Sequence, residues 1–243
     1  MGLVKRAGAS RPRMVVVYAG HSFVRRSKCA MVGGSHIPTQ YQDVQHRSQA
    51  AELAHHYKVG YRVSEVYTMA RGIVHAGDLN RHIDDILEKD PNMILLEVGT
   101  NSLSTMDDDV TDAQVYSVAL YVKALAAIIP PHITVVCMGV VPRESPTMSC
   151  TVESFTKYAG LYNGFLKQFA EESHRGQIPT NFRYQKPQGW WTQELPDGSS
   201  VPCPVDDWIC GDMIHPTREA FLTKHARTVK KAILNPRNLP TNL

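Results

Sequence analysis

A serine, a glycine, an asparagine and an Asp/His pair stand at points along this chain where acyl-transfer chemistry could be assembled. Ser22 follows Arg13-Met14-Val15-Val16-Val17-Tyr18-Ala19-Gly20-His21, a β-branched run that stops at small residues. In an open α/β sheet, ligands bind beyond the carboxyl ends of the strands. A helix that starts there turns unpaired backbone N–H groups toward developing negative charge. A serine hydroxyl at such a point is a candidate nucleophile, provided that a base takes its proton. Asp212-Met213-Ile214-His215 offers that base. A carboxylate three residues from an imidazole can fix its tautomer and leave the other ring nitrogen facing the serine. Gly72 and Asn101 follow two further strand-like runs. Each residue also has a plainer use: Ser22 as a helix cap, Gly72 and Asn101 as turn formers, and His215 as a capping or surface residue beside Pro216.

The elements that must position these groups alternate between strand and helix. Met14 to Tyr18 is the first strand, and a helix starts at Ser22 and breaks at Gly33-Gly34. Gln45 to Tyr57 reads as a polar helix or as a long surface connection. Tyr61 to Met69 alternates as a second strand. Ala76 to Lys89 places Leu79, Ile83, Ile86 and Leu87 on one helical face, and Asp90-Pro91 closes it. Met93 to Val98 is nearly continuous in its apolar character, as expected of a strand buried on both faces of a parallel sheet. A long helix capped near Thr111 or Asp112 ends at Pro130-Pro131. Ile133 to Val141 makes the fourth strand, Glu153 to Glu172 a helix, and Asn181 to Tyr184 an edge strand. Gln185 to Gly211 reads as an irregular loop, and a last helix opens at Pro216 and buries Phe221, Leu222, Val229 and Ile233. Parallel neighbours need crossover connections. The expectation is an α/β fold, a three-layer α/β/α sandwich on a five-stranded parallel sheet of flavodoxin-like order 2-1-3-4-5. Its domain would span 13–235, between a disordered basic segment at 1–12 and a tail at 236–243.

A chain of 243 residues with 43% hydrophobic content can bury one large core. A net charge of +3, without a Lys/Arg block interleaved with aromatics, leads to the expectation that this domain does not bind nucleic acid. The five cysteines lack metal-site spacing and read as free thiols, with a Cys203–Cys210 bridge as the weaker alternative. No apolar run has the length of a secretory signal or a membrane span, so a soluble, cytoplasmic protein is expected. His55-His56 has no partner at zinc-site spacing. Trp190-Trp191 could line a sugar or acyl pocket, or anchor a long loop on the core.

Gly20-His21-Ser22, Gly72, Gly99-Thr100-Asn101-Ser102 and Asp212-Met213-Ile214-His215 occur in this order along nearly the whole chain. The order resembles the SGNH hydrolase superfamily, or GDSL-type esterases, whose blocks are a GDS-type serine turn, a glycine, a G-x-N-D turn and a D-x-x-H pair. The resemblance implies Ser22 as nucleophile, His215 as general base and acid, and Asp212 as orienter of the imidazole. It also implies an oxyanion hole from the backbone N–H groups of Ser22 and Gly72 and the side-chain amide of Asn101, with no metal and no cofactor. His21 and Ser102 depart from the family, standing where it usually has Asp. The spelling Gly20-His21-Ser22-Phe23-Val24-Arg25-Arg26 resembles a divergent branch found in invertebrate and retroelement-associated proteins. The implied activity is a serine ester hydrolase of carboxylesterase or O-deacetylase type, acting through an acyl-enzyme on a small ester of a glycan or lipid. The altered blocks keep a second reading open, a catalytically inactive SGNH-fold binding or accessory module.

Overall fold

The computed structural model describes residues 13–22, 24, 44–45, 62–69, 75–143, 147–178, 181–187, 192–194, 200–202 and 225–238. Its sheet strands are β1 (Arg13–Gly20), β2 (Val44–Gln45), β3 (Arg62–Met69), β4 (Met93–Glu97), β5 (Thr134–Met138) and β6 (Asn181–Gln185). They lie in the order β2-β3-β1-β4-β5-β6. Parallel ladders join β3 to β1, β1 to β4, β4 to β5 and β5 to β6. The fold is therefore α/β with a parallel sheet, but the sheet is six-stranded and mixed rather than five-stranded and wholly parallel. The addition is β2, which pairs antiparallel with the outer edge of β3 through Val44↔Thr68 and Gln45↔Tyr67. Two residues carry no periodicity, so such a strand exists only because an open edge offers unpaired backbone groups.

Strand alternation sorts the core into two faces. Val17, Ala19, Ile94, Leu96, Val135 and Cys137 face one side, where they meet α3 (Asp112–Ile128) and α4 (Val152–His174). Met14, Val16, Tyr18, Met93, Leu95, Val136 and Met138 face the other, against Val229, Ala232 and Ile233 of α5 (Ala226–Leu234). Helices thus cover both faces. Met93 through Leu96 are fully buried, in keeping with their unbroken apolar run. Each such side chain contributes about 1.5–3 kcal/mol by leaving water.

The long helices start where their caps predict. Thr111 and Gln114 form a capping box at α3, and the Thr151 hydroxyl accepts the Ser154 N–H at α4. The single helix expected over Ala76 to Lys89 is instead a 3-10 stretch, Ala76–His82, followed by the short α1 (Ile83–Leu87). Gly77, Asp78 and Asn80 are poor helix formers. The Asp78 carboxylate and the Ser102 hydroxyl capture the N–H groups of His75 and Ala76, which favours a tight first turn. The stretch read as an irregular loop holds an antiparallel ladder between β7 (Thr192–Glu194) and β8 (Ser200–Pro202). Among the described residues no helix is long and apolar enough to cross a membrane. The helix expected after Ser22, the start of the last helix at Pro216, and Trp190-Trp191 lie outside the described residues.

Candidate active site

Two neighbouring strands deliver two of the expected site residues to the same sheet edge. In the β1–β4 ladder Tyr18 pairs with Leu95 and Gly20 with Glu97, so both chains leave the sheet at one level. Past Gly20 come the buried His21 and the half-buried Ser22, which begins a helical turn. Past Glu97 come Val98 and Gly99, then α2 (Thr100–Ser104), where Asn101 is half-buried.

Both exits require glycine. A Cβ on Gly20 would lie 2.2 Å from the Glu97 carbonyl oxygen and 2.8 Å from Val24. That closeness lets the His21 N–H donate to the same carbonyl at 3.3 Å, tying the turn that carries Ser22 to β4. Gly99 sits at φ +107, and a Cβ there would come 2.6 Å from the Tyr162 ring. Tyr162 donates its hydroxyl to the Val98 carbonyl at 3.2 Å, so the bend before Asn101 is locked from α4. In α2 the Asn101 carbonyl accepts from the hydroxyls of Ser104 and Thr105, at 3.1 and 3.2 Å.

The two departures from the family blocks have visible contacts. His21 is buried, and its N–H bond to the Glu97 carbonyl seats it against the end of β4. The Ser102 hydroxyl accepts the Ala76 N–H at 3.2 Å, which ties the turn after β4 to the segment that follows Gly72. Gly72, Asp212 and His215 lie outside the described residues.

One cluster escaped the sequence reading. Tyr18 donates its hydroxyl to Glu97 Oε2, and the same hydroxyl lies 2.9 Å from His225 Nε2. His225 Nε2 is in turn 3.3 Å from Glu97 Oε2, with both side chains largely buried. Burial pushes the Glu97 carboxyl up, but the charge and hydrogen bond of His225, the charge of His21 and the Tyr18 hydroxyl outweigh it. The carboxyl is held below its ordinary value. A glutamate at the end of an otherwise apolar strand was the available signal, because a buried carboxylate demands partners.

Beside this edge, Glu97, Val98, Thr100, Met138, Gly139, Val140, Val141 and Arg143 line a small pocket at the ends of β4 and β5. Asn163 holds its far wall, accepting the Val140 N–H and donating to the Val140 carbonyl, both at 2.8 Å. The nearby Cys137 is no competing nucleophile, since burial pushes its thiol up to about 12.

Residues 31–220 match the GDSL-like lipase/acylhydrolase family. The chain belongs to that family. The matched span contains Gly72, Asn101, Asp212 and His215 and begins after Ser22. Solved structures with the GDSL-like fold agree in architecture at low identity. A catalytic mutant of an acetylxylan esterase from Geobacillus stearothermophilus is 13% identical with a TM-score of 0.52, over 93% of this chain and 94% of that one. A Bacteroides fragilis protein described as an acylhydrolase is 16% identical with a TM-score of 0.50, over 91% and 86%. A gut microbial diltiazem-metabolizing enzyme is also 16% identical, with a TM-score of 0.53, over 92% of this chain and 47% of its own. A search of curated proteins found no match.

Proposed function

We propose that this chain is a serine ester hydrolase that works through an acyl-enzyme formed at Ser22. The observation that carries the reading is the β1–β4 pairing, which sends Ser22 and Asn101 out of adjacent parallel strands at one level of the sheet. On this reading His215, oriented by Asp212, takes the Ser22 proton as the hydroxyl attacks the ester carbonyl. It then protonates the departing alcohol, and water repeats the sequence to release the acid. The carbonyl oxygen becomes an oxyanion that the N–H groups of Ser22 and Gly72 and the amide of Asn101 stabilise without adding charge. Membership of the acylhydrolase family and a neighbour described as an acetylxylan esterase support a small O-acyl group, such as acetyl on a glycan, as the substrate.

The test is covalent. An unactivated serine is a poor nucleophile, so a fluorophosphonate should label folded wild-type protein only where the base and oxyanion donors are assembled. Labelling is expected to vanish in Ser22→Ala and to fall steeply in His215→Ala. Folded protein that takes up no probe between pH 6 and 9, or that labels equally without His215, would return the chain to the inactive-module reading.

A further inference from the structure

A second concavity lies along the outer edge of the sheet and draws on three separate stretches of chain. One wall is the last part of α4, with Lys167, Glu171, His174 and Arg175; the floor is β6 and its exit, with Arg183 and Lys186; the end wall carries Arg237 from the turn after α5. The groove has a volume of about 1040 Å³, and among the described residues five permanent cations line it against one carboxylate.

Two of these charges have local work. Arg175 lies 4.0 Å from Glu171 and stands at the end of α4, where cations offset the exposed carbonyls. Arg183 donates to the carbonyls of Arg237 and Phe182, at 3.0 and 2.9 Å. Lys167, Lys186 and Arg237 are exposed, and among the described residues no carboxylate reaches any of them. Such an uncompensated set focuses positive potential within low-dielectric walls.

At Phe182 the bordering strand resists a peptide that would extend the sheet. On the outer edge of β6 the Phe182 N–H is taken by the Ser173 hydroxyl at 2.9 Å, and the Phe182 carbonyl by Arg183. The edge is capped where an added strand would need it. Among the described residues the lining holds one aromatic, Tyr184, whose hydroxyl lies toward Gly139. A chain that carries a charge on every unit needs neither an open strand edge nor a ring to stack on.

We infer that this groove binds single-stranded nucleic acid through its phosphates, with Lys167, Lys186 and Arg237 as the principal contacts. Lys167 and Arg175 are about 12 Å apart along the helix axis, room for a few phosphates. Phosphate contacts carry no base identity, and binding rests on counterion release.

Fluorescence anisotropy with a labelled single-stranded oligonucleotide, at salt from low to physiological, tests this. Wild-type protein is expected to bind at low salt with log K falling against log salt at a slope of about −2, since each neutralised phosphate contributes about −0.7. The triple variant Lys167→Gln/Lys186→Gln/Arg237→Gln should bind at least tenfold more weakly and lose most of that slope. Lys167→Arg/Lys186→Arg/Arg237→Lys should retain both. Should the triple variant fail to fold, Lys186→Gln and Arg237→Gln singly should each flatten the slope by about 0.7. No binding at low salt, unchanged binding by the neutral variants, or preference for a sulfated glycan or polyglutamate that the oligonucleotide cannot displace would each overturn the inference.

Discussion

Asn101 concentrates the question at the scale of single residues, because its carbonyl serves the turn while its amide is the proposed donor to the oxyanion. These roles separate by mutation. Asn101→Ala leaves the backbone carbonyl in place, so the fold should persist while kcat falls by about 10²–10³, the usual effect of one lost oxyanion donor. Equal losses in kcat and in folded fraction would assign the side chain to the turn alone. Glu97 poses a different problem, since two neighbours, Tyr18 and His225, must support a carboxylate taken out of water. Tyr18→Phe removes one charge-assisted hydrogen bond and should cost about 1.5–3 kcal/mol in urea denaturation. A cost near zero would mean that His225 alone suffices.

At the scale of elements, the two strand exits are bends fixed by packing. The bend at Gly99 depends on a backbone conformation that side chains resist and on space that the Tyr162 ring already fills. Gly99→Ala should therefore destabilise by more than about 2 kcal/mol, from strain and overlap together. A thermal melt within a degree of wild type would show that Tyr162 can withdraw at little cost. The 3-10 stretch Ala76–His82 belongs to the same edge, because Ser102 holds its first N–H. Leu79 and Ile86 are buried as their spacing predicts, but spacing alone does not distinguish an α-helical from a 3-10 first turn. The contact that decided it lies 26 residues away in the chain.

For the whole molecule, the Tyr18–Glu97–His225 cluster joins β1 and β4 to the residue that precedes α5, and it makes stability depend on pH. The folded state holds the Glu97 carboxyl below its ordinary value near 4.5. The stability it contributes is thus complete above that value and is lost as the pH falls from there toward the folded value. Glu97→Gln should lower stability by a few kcal/mol at neutral pH, because it leaves His225 without its carboxylate. The gap from wild type should narrow below about pH 4.5, read as urea midpoints from pH 3 to 7. A gap that stays constant across that range would show that shape, not charge, holds the cluster together.

Much of the core and part of the site were legible in the sequence, for a physical reason that particular residues make plain. Met93 to Leu96 announce a doubly buried strand, and Thr111 or Asp112 marks a helix start, because periodicity and capping act within a few residues. Gly20 and Gly99 could likewise be marked as turns beside Ser22 and Asn101. Other features depend on partners distant in the chain. Nothing near Val44-Gln45 reveals that the edge of β3 is free to receive it. No local pattern selects His225 as the partner of Tyr18, 207 residues before it. Lys167, Lys186 and Arg237 look like scattered solvated charge until α4, β6 and the turn after α5 bring them to one groove. Local backbone and solvation preferences are properties of the sequence itself. Which strand edge is open, which buried carboxylate meets which imidazole, and where like charges converge are decided only when the layers pack.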